Sequence, residues 1–248
     1  RTVGKLLLKL SDTIIVLNQA DRIALTKMGV KSKKIVCIPN SIDTEFLDPQ
    51  NVKPEDLTKF KEKHGLKKQV VLFVGRLEKR KRIDLLILAF KKVIDSFHDC
   101  SLLVVGPDYG ELQYLEQLVL ELQLSDYVVF TYALNDVELL KAYAMADVLS
   151  SASEQEAFGI TLLEAMAMKV PVVANAWKGM KYVVRHGENG FLIKPGDIDA
   201  FSQNISLILN DEDLREKIGE NGREYAMKFS IQKMTDDIEE IYERLYHD

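Results

Sequence analysis

Cysteine, tryptophan and histidine are scarce in this chain, with two Cys, one Trp and four His in 248 residues. Two isolated cysteines, Cys37 and Cys100, form neither a disulfide framework nor a zinc site. The expectation is buried, reduced thiols in a reducing compartment. The histidines, at 64, 98, 186 and 247, are dispersed, and those at 64, 98 and 247 are expected at the surface. No His/Cys/Asp grouping has metal-ligand spacing, no Asp-x-Asp is read as the ligand of a magnesium-bound diphosphate, and no Ser/His/Asp triad can be assembled. No apolar run reaches the roughly 18 residues of a membrane span, and no secretory leader is visible. Basic residues are not in excess: 33 Lys and Arg against 38 Asp and Glu give a net charge of −5. That balance excludes the basic footprint of a non-specific nucleic-acid binder. The expected location is cytoplasmic, with the cytoplasmic membrane surface as a second placement.

What is present is ordinary globular material, 47% hydrophobic and 29% charged, enough for one sizeable α/β core. Short apolar, β-rich runs alternate with helical patterns, the mark of βαβ units and a parallel sheet. Strands are predicted at 13–17, 35–38, 70–75, 101–105, 127–130, 147–150, 171–174 and 190–193. Helices are predicted at 20–28, 54–64, 83–97, 111–123, 136–145, 160–168, 180–185, 197–209, 211–227 and 230–246. Ahead of the first strand, Val3, Leu6, Leu7, Leu8 and Leu10 give an amphipathic pattern. In such sheets ligands bind beyond the carboxyl ends of the strands, where Arg76 and Glu156 fall.

The most informative stretch is Glu156-Ala-Phe-Gly-Ile-Thr-Leu-Leu-Glu164. If all of it were helical, the two carboxylates would lie ~12 Å apart on partly different faces. Instead the pattern predicts a helix starting near Gly159, with Glu156 on the entering loop and Glu164 in the second turn. Between them lie the unpaired N–H groups and positive dipole end that bind phosphate. Glu164 is the only charged residue from Ala157 to Met168. A carboxylate on a helix apolar all round is costly unless hydroxyls or other donors satisfy it.

At these residues the chain resembles a family. E-x7-E followed by Pro171-Val-Val-Ala is similar to the donor-site signature of retaining glycosyltransferases of the GT-B fold, family 4 (glycosyl transferases group 1). Val70 to Leu77 with Lys81, Ile83 and Asp84 resembles the family's strand-Gly-Arg-loop-Lys element; Lys33 to Asp43 resembles its interdomain segment; His186 to Asp197 resembles its late loop-strand-turn. The resemblance implies an α/β fold with a Rossmann-like parallel sheet flanked by helices, the C-terminal half of a GT-B architecture. It implies transfer of a sugar from a nucleotide diphosphate to a sugar or lipid-linked acceptor with retention of configuration, as in the family's mannosyl-, glucosyl- and N-acetylglucosaminyltransferases. No cofactor or metal is implied, the donor being a UDP-, GDP- or ADP-sugar.

By the same resemblance, Arg76 and Lys81 hold the pyrophosphate, Glu156 orients the donor sugar without acting as a covalent nucleophile, and these three are the catalytic set. Donor binding extends to Gly75, Gly106, Tyr132, Leu134, Ala157, Phe158, Gly159, Ile160, Thr161 and Glu164, with Glu164 on the ribose and the base between Gly106-Pro-Asp-Tyr109 and Phe130 to Asn135. Lys79, Arg80 and Arg82 are expected to face solvent. The family has Gly where Arg82 stands, which leaves the aim of Lys81 open. Only Gly179 remains of a family Gly-Gly-x-x-Glu turn, with Tyr182 at the acid's position; Trp177 either caps the core or stacks on an acceptor or lipid. The implied domains are 1–38, a remnant of an N-terminal acceptor-binding domain; 39–50, a linker; 51–229, the donor domain; and 230–248, a crossover helix. The missing acceptor domain would be a partner, and the chain alone is expected to bind donor without transferring it. Two other readings stay open: a nucleotide-sugar epimerase of the same architecture, and a non-catalytic nucleotide-sugar-binding domain.

Overall fold

The computed structural model describes residue 8 and residues 10–247. The amphipathic expectation at Val3, Leu6 and Leu7 lies outside the described residues. The chain divides into two compact units, one from 1–43 and 228–248, the other from 44–227. In the first unit, β1 (Ile14–Val16) and β2 (Ile35–Cys37) pair in parallel, and α1 (Gln19–Lys27) connects them. Val16, Val30 and Ile35 form their small core. The last helix, α10 (Ile231–His247), belongs to this unit, and an isolated bridge joins Ile42 to Ser230.

The second unit carries the main sheet. Its strands are β3 (Gln69–Val74), β4 (Cys100–Val105), β5 (Val128–Thr131), β6 (Val148–Ser151), β7 (Val172–Asn175) and β8 (Phe191–Ile193). All pair in parallel in the order β5-β4-β3-β6-β7-β8. Helices cover the sheet, so the central strands are apolar on both faces, and Val70 to Phe73 and Leu102 to Val104 are buried. The helices that bear on the site are α3 (Ile83–Ile94), α4 (Leu112–Glu121), α5 (Asp136–Met145) and α6 (Ile160–Ala167). This is the expected Rossmann-like sheet flanked by helices.

The strand order decides where a ligand can go. From β3 the chain builds outward through β4 and β5, then returns to the other side of β3 and builds outward through β6, β7 and β8. The connections diverge between β3 and β6, leaving a crevice at their carboxyl ends. The loops that follow these two strands, residues 75–82 and 152–159, are therefore neighbours although far apart in sequence. Glu154 N donates to Arg80 O at 3.0 Å and ties the loops together.

The predicted elements all occur, most with ends displaced by a few residues. The helix expected over 83–97 ends at Ile94, and the chain just beyond it closes in a turn in which Ser96 N and Phe97 N share Val93 O. The helix expected over 180–185 is a single turn, α7 (Met180–Val183). Of the two thiols, Cys100 is buried and pushed up to about 12 by that burial, whereas Cys37 is only partly buried, a correction to the expectation for both. His64 also departs from its expected surface place. It packs on Phe60 with ring centroids 4.5 Å apart, Nε2 is buried, and burial lowers its pKa.

Candidate functional site

The crevice opens where β3 and β4 end on glycine. Gly75 N donates to Val105 O at 2.9 Å, and Gly106 lies so close to Gly75 that a Cβ there would stand 1.9 Å from its carbonyl oxygen. This contact needs hydrogen at Gly106 and brings Arg76 beside the loop after β4. The Arg76 guanidinium lies 5.1 Å from the centroid of the Tyr109 ring and 3.1 Å from Glu78, which also pairs with Arg80 at 2.8 Å. The Arg76 guanidinium is thus steadied by Tyr109 and Glu78 and, with the side chain 44% exposed, remains accessible to an anion.

Beyond Arg76 the chain makes a 3-10 turn over Lys79–Lys81 and leaves it through Arg82, whose φ of 49° is left-handed. A glycine would adopt this without penalty; an arginine does so at a cost of about 1 kcal/mol. Arg82 is anchored in compensation by ion pairs to Asp84 at 3.0 Å and to Glu154. The expectation that Arg82 faces solvent is therefore corrected: it is half-buried and cross-links the two loops. Lys79 and Arg80 are exposed as expected. All three cations line an open groove of about 600 Å³ with Asp84, Glu111, Tyr114 and Glu154.

With Arg82 set, Lys81 turns into the crevice. Its Nζ donates to Glu156 Oε2 at 2.7 Å, and the side chains are 16% and 23% exposed. The sequence reading placed these residues on different parts of a donor and did not foresee that they pair. Glu156 belongs to the loop after β6, supported by Asn175, a fully buried residue at the end of β7 that donates from Nδ2 to Ala152 O and Ser153 O. Gly179 supports it too, because a Cβ there would stand 2.3 Å from Glu156 O and 2.5 Å from the carbonyl carbon of Ala157. Its φ of −62° is open to any residue, so the constraint is contact alone. Gly179→Ala is expected to push the Glu156 loop outward. It should abolish the affinity gained from a donor's sugar while moving thermal stability by only about 1–2 kcal/mol, as overpacking does; sugar-dependent affinity as strong as wild type would show the loop to be indifferent to the contact.

The helix start lies where the pattern puts it. Gly159 takes φ 95° as the residue before α6, and its carbonyl accepts from Leu162 N and Leu163 N. The N–H groups of Ile160 and Thr161 have no partner earlier in the helix and face the crevice end of the sheet. Phe158 is buried at 2% exposure and anchors the turn, while Ala157 and Ile160 are exposed. Glu164 stands in the second turn, and Oε2 accepts from the Tyr143 hydroxyl at 2.6 Å. Burial raises the Glu164 pKa and that hydrogen bond opposes the rise. Gly106, Thr131 and Tyr132 line a second, narrower cleft of about 50 Å³ with Leu77, Asp108, Leu112, Glu116 and Phe130. Asp108 accepts from the N–H groups of Gly110, Glu111 and Leu112 and opens α4, which holds its carboxyl below the usual range. Leu134 lies outside that lining, partly exposed just before α5. Trp177 is half-buried.

Sequence reasoning missed Arg82, Glu154, Asn175 and Tyr143 as parts of the site, and it read Gly179 only as the remnant of a family turn. Glu154 carried a local signal, lying two residues before Glu156, and Arg82 stood where the family has glycine; Asn175 and Tyr143 carried none. Among the described residues no grouping of His, Cys, Asp and Glu could hold a metal ion. Two Asp-x-Asp triplets do occur, at 197–199 and 211–213, but Asp197 and Asp211 are N-caps, accepting from Ala200 N and Leu214 N at 2.9 Å each. No helix among the described residues is long and apolar enough to cross a membrane.

The chain matches the family described as glycosyl transferases group 1 over residues 54–225, a span that contains the whole crevice. It is 33% identical over 201 residues to the N-acetyl-alpha-D-glucosaminyl L-malate synthase of Bacillus anthracis, covering 79% of this chain and 51% of that protein. It is 31% identical over 246 residues to the putative glycosyltransferase EpsD of Bacillus subtilis, covering 97% and 62%. Among solved structures it resembles Anabaena HepE in complex with UDP and glucose, with TM-score 0.87, 25% identity, and coverage of 98% of this chain and 66% of that one. It also resembles the sucrose-phosphate synthase of Thermosynechococcus elongatus, with TM-score 0.86, 29% identity, and coverage of 99% and 61%. The chain spans about half to two thirds of the length of these relatives. With a family match over 172 of 248 residues and this fold, the chain belongs to the glycosyl transferases group 1 family, of GT-B architecture.

Proposed function

We propose that this chain binds a nucleotide sugar, UDP-, GDP- or ADP-linked, and serves as the donor-binding half of a retaining glycosyltransferase. The observation that carries this reading is the meeting of Lys81 and Glu156 at 2.7 Å, at the switch point of the sheet, beside the start of α6. It supplies a cation for a diphosphate and a carboxylate for sugar hydroxyls within one crevice. Arg76 and Lys81 hold the two phosphates, and the α6 N-terminus adds its free N–H groups. The base lies in the cleft lined by Gly106, Phe130, Thr131 and Tyr132. Glu164 accepts from the ribose hydroxyls, and Glu156 from the sugar.

When the bond from the anomeric carbon to the phosphate oxygen breaks, negative charge gathers on the leaving diphosphate, where these cations and dipoles already stand. The departing oxygen takes the acceptor's proton on the same face, so configuration is retained and Glu156 stays non-covalent. The transfer step further requires an acceptor held in attack geometry by an acceptor-binding domain. HepE, solved with UDP and glucose, supports the same class of donor.

Calorimetric titration with UDP, GDP and ADP, and with their hexose conjugates, tests the reading. One diphosphate should bind, its sugar conjugate should bind more tightly, and EDTA should leave both affinities unchanged because cationic side chains provide the phosphate charge. Absence of binding by all three series would overturn the assignment.

A further inference from the structure

Glu164 has a partner that no sequence motif announces. Tyr143, in the last turn of α5, is completely buried, with its hydroxyl 2.6 Å from Glu164 Oε2. A buried phenol needs an acceptor, and a backbone carbonyl would suffice. Here the acceptor is the only carboxylate between Ala157 and Met168. Among the described residues this is the one hydrogen bond the Glu164 carboxylate makes, and Oε1 is not among the buried, unpartnered atoms. The geometry therefore fixes one carboxylate oxygen inside the protein and leaves the other without a protein partner and with some surface accessible to solvent.

We propose that Tyr143 is a positioning residue for the donor: by giving its proton to Glu164 Oε2 it fixes the carboxylate in the orientation in which Oε1 accepts from the nucleotide's ribose hydroxyls. This rests on the reading of Glu164 as the ribose-binding residue. A buried ring with two torsions, locked by packing, is a stiffer support than water, and partners that orient a ligand-binding group commonly change its affinity without touching the ligand.

The measurement is the ratio of affinities for a ribonucleoside diphosphate and its 2′,3′-dideoxy counterpart, using whichever of UDP, GDP or ADP binds. Wild type should favour the ribonucleotide by roughly tenfold or more. Tyr143→Phe keeps the ring, so circular dichroism should report the same fold, yet the ratio should fall about three- to tenfold with dideoxynucleotide affinity unchanged. Glu164→Gln should remove most of the preference, and adding Tyr143→Phe to it should change the ratio no further. Burial and the Tyr143 bond are what act on the Glu164 carboxyl, and the bond favours its ionised form. Losing the bond should therefore move the acid limb of ribonucleotide affinity to higher pH, which a purely structural role for Tyr143 would not do. A large wild-type ratio left intact, with an unmoved acid limb, in Tyr143→Phe would overturn the role of Tyr143. A wild-type ratio near one would instead overturn the ribose reading of Glu164.

Discussion

Lys81→Ala is expected to weaken binding of the nucleoside diphosphate by about 2–4 kcal/mol, roughly 30- to 1,000-fold, while leaving the free nucleoside unaffected. Two losses add. The diphosphate loses a charge-assisted contact, and Glu156, whose Oε2 accepts from Lys81 at 2.7 Å, becomes an unpaired carboxylate facing the incoming phosphates. Arg76→Ala should cost less, about 1.5–3 kcal/mol, since its neighbour Glu78 keeps a second partner in Arg80. The pairing also sets the opposite sign for Glu156→Gln. A donor must part Lys81 from Glu156 before each can reach its portion of the ligand, and parting a half-buried pair costs on the order of 1 kcal/mol. Removing the charge at 156 should tighten bare diphosphate by up to about tenfold and erase the extra affinity of the sugar conjugate. Calorimetry with both ligands on the three variants measures all of this; if Glu156→Gln weakens bare diphosphate as severely as Lys81→Ala does, the exchange does not occur.

How much of this was legible before the structure depends on the range of the interaction. Strand and helix positions follow from periodicities of a few residues, so β3 to β8 and the start of α6 at Gly159 could be read directly. The left-handed turn at Arg82 could not. The family's glycine at that position hints at it, but only the ion pairs to Asp84 and Glu154 show how an arginine is accommodated. The meeting of residues 81 and 156 follows from β3 lying beside β6, a consequence of strand order that no local pattern encodes. Tyr143 is the extreme case. In sequence it is one more aromatic on the apolar face of a helix, and its role depends on where a single hydroxyl proton points.

Gly106→Ala is expected to produce the largest loss of stability among the substitutions considered, about 2–4 kcal/mol, or a fall of roughly 5–15 °C in Tm for a chain of this size. The added Cβ would lie 1.9 Å from Gly75 O and 2.7 Å from Gly75 C, both backbone atoms of the neighbouring strand end. No rotamer change can relieve that, and the φ of +150° disfavours a side chain in its own right. Relief requires β3 and β4 to separate where Gly75 N bonds Val105 O, which would carry Arg76 away from the loop that bears Tyr109. Diphosphate binding should therefore fail together with stability. Gly196→Ala separates contact from conformation: its φ is +84°, but nothing lies within 4 Å of the new Cβ. It should cost only about 1 kcal/mol and leave binding intact. Equal destabilisation by the two substitutions, measured by urea titration, would mean that the strand ends yield freely and that the close approach of Gly75 and Gly106 does not hold the mouth of the crevice.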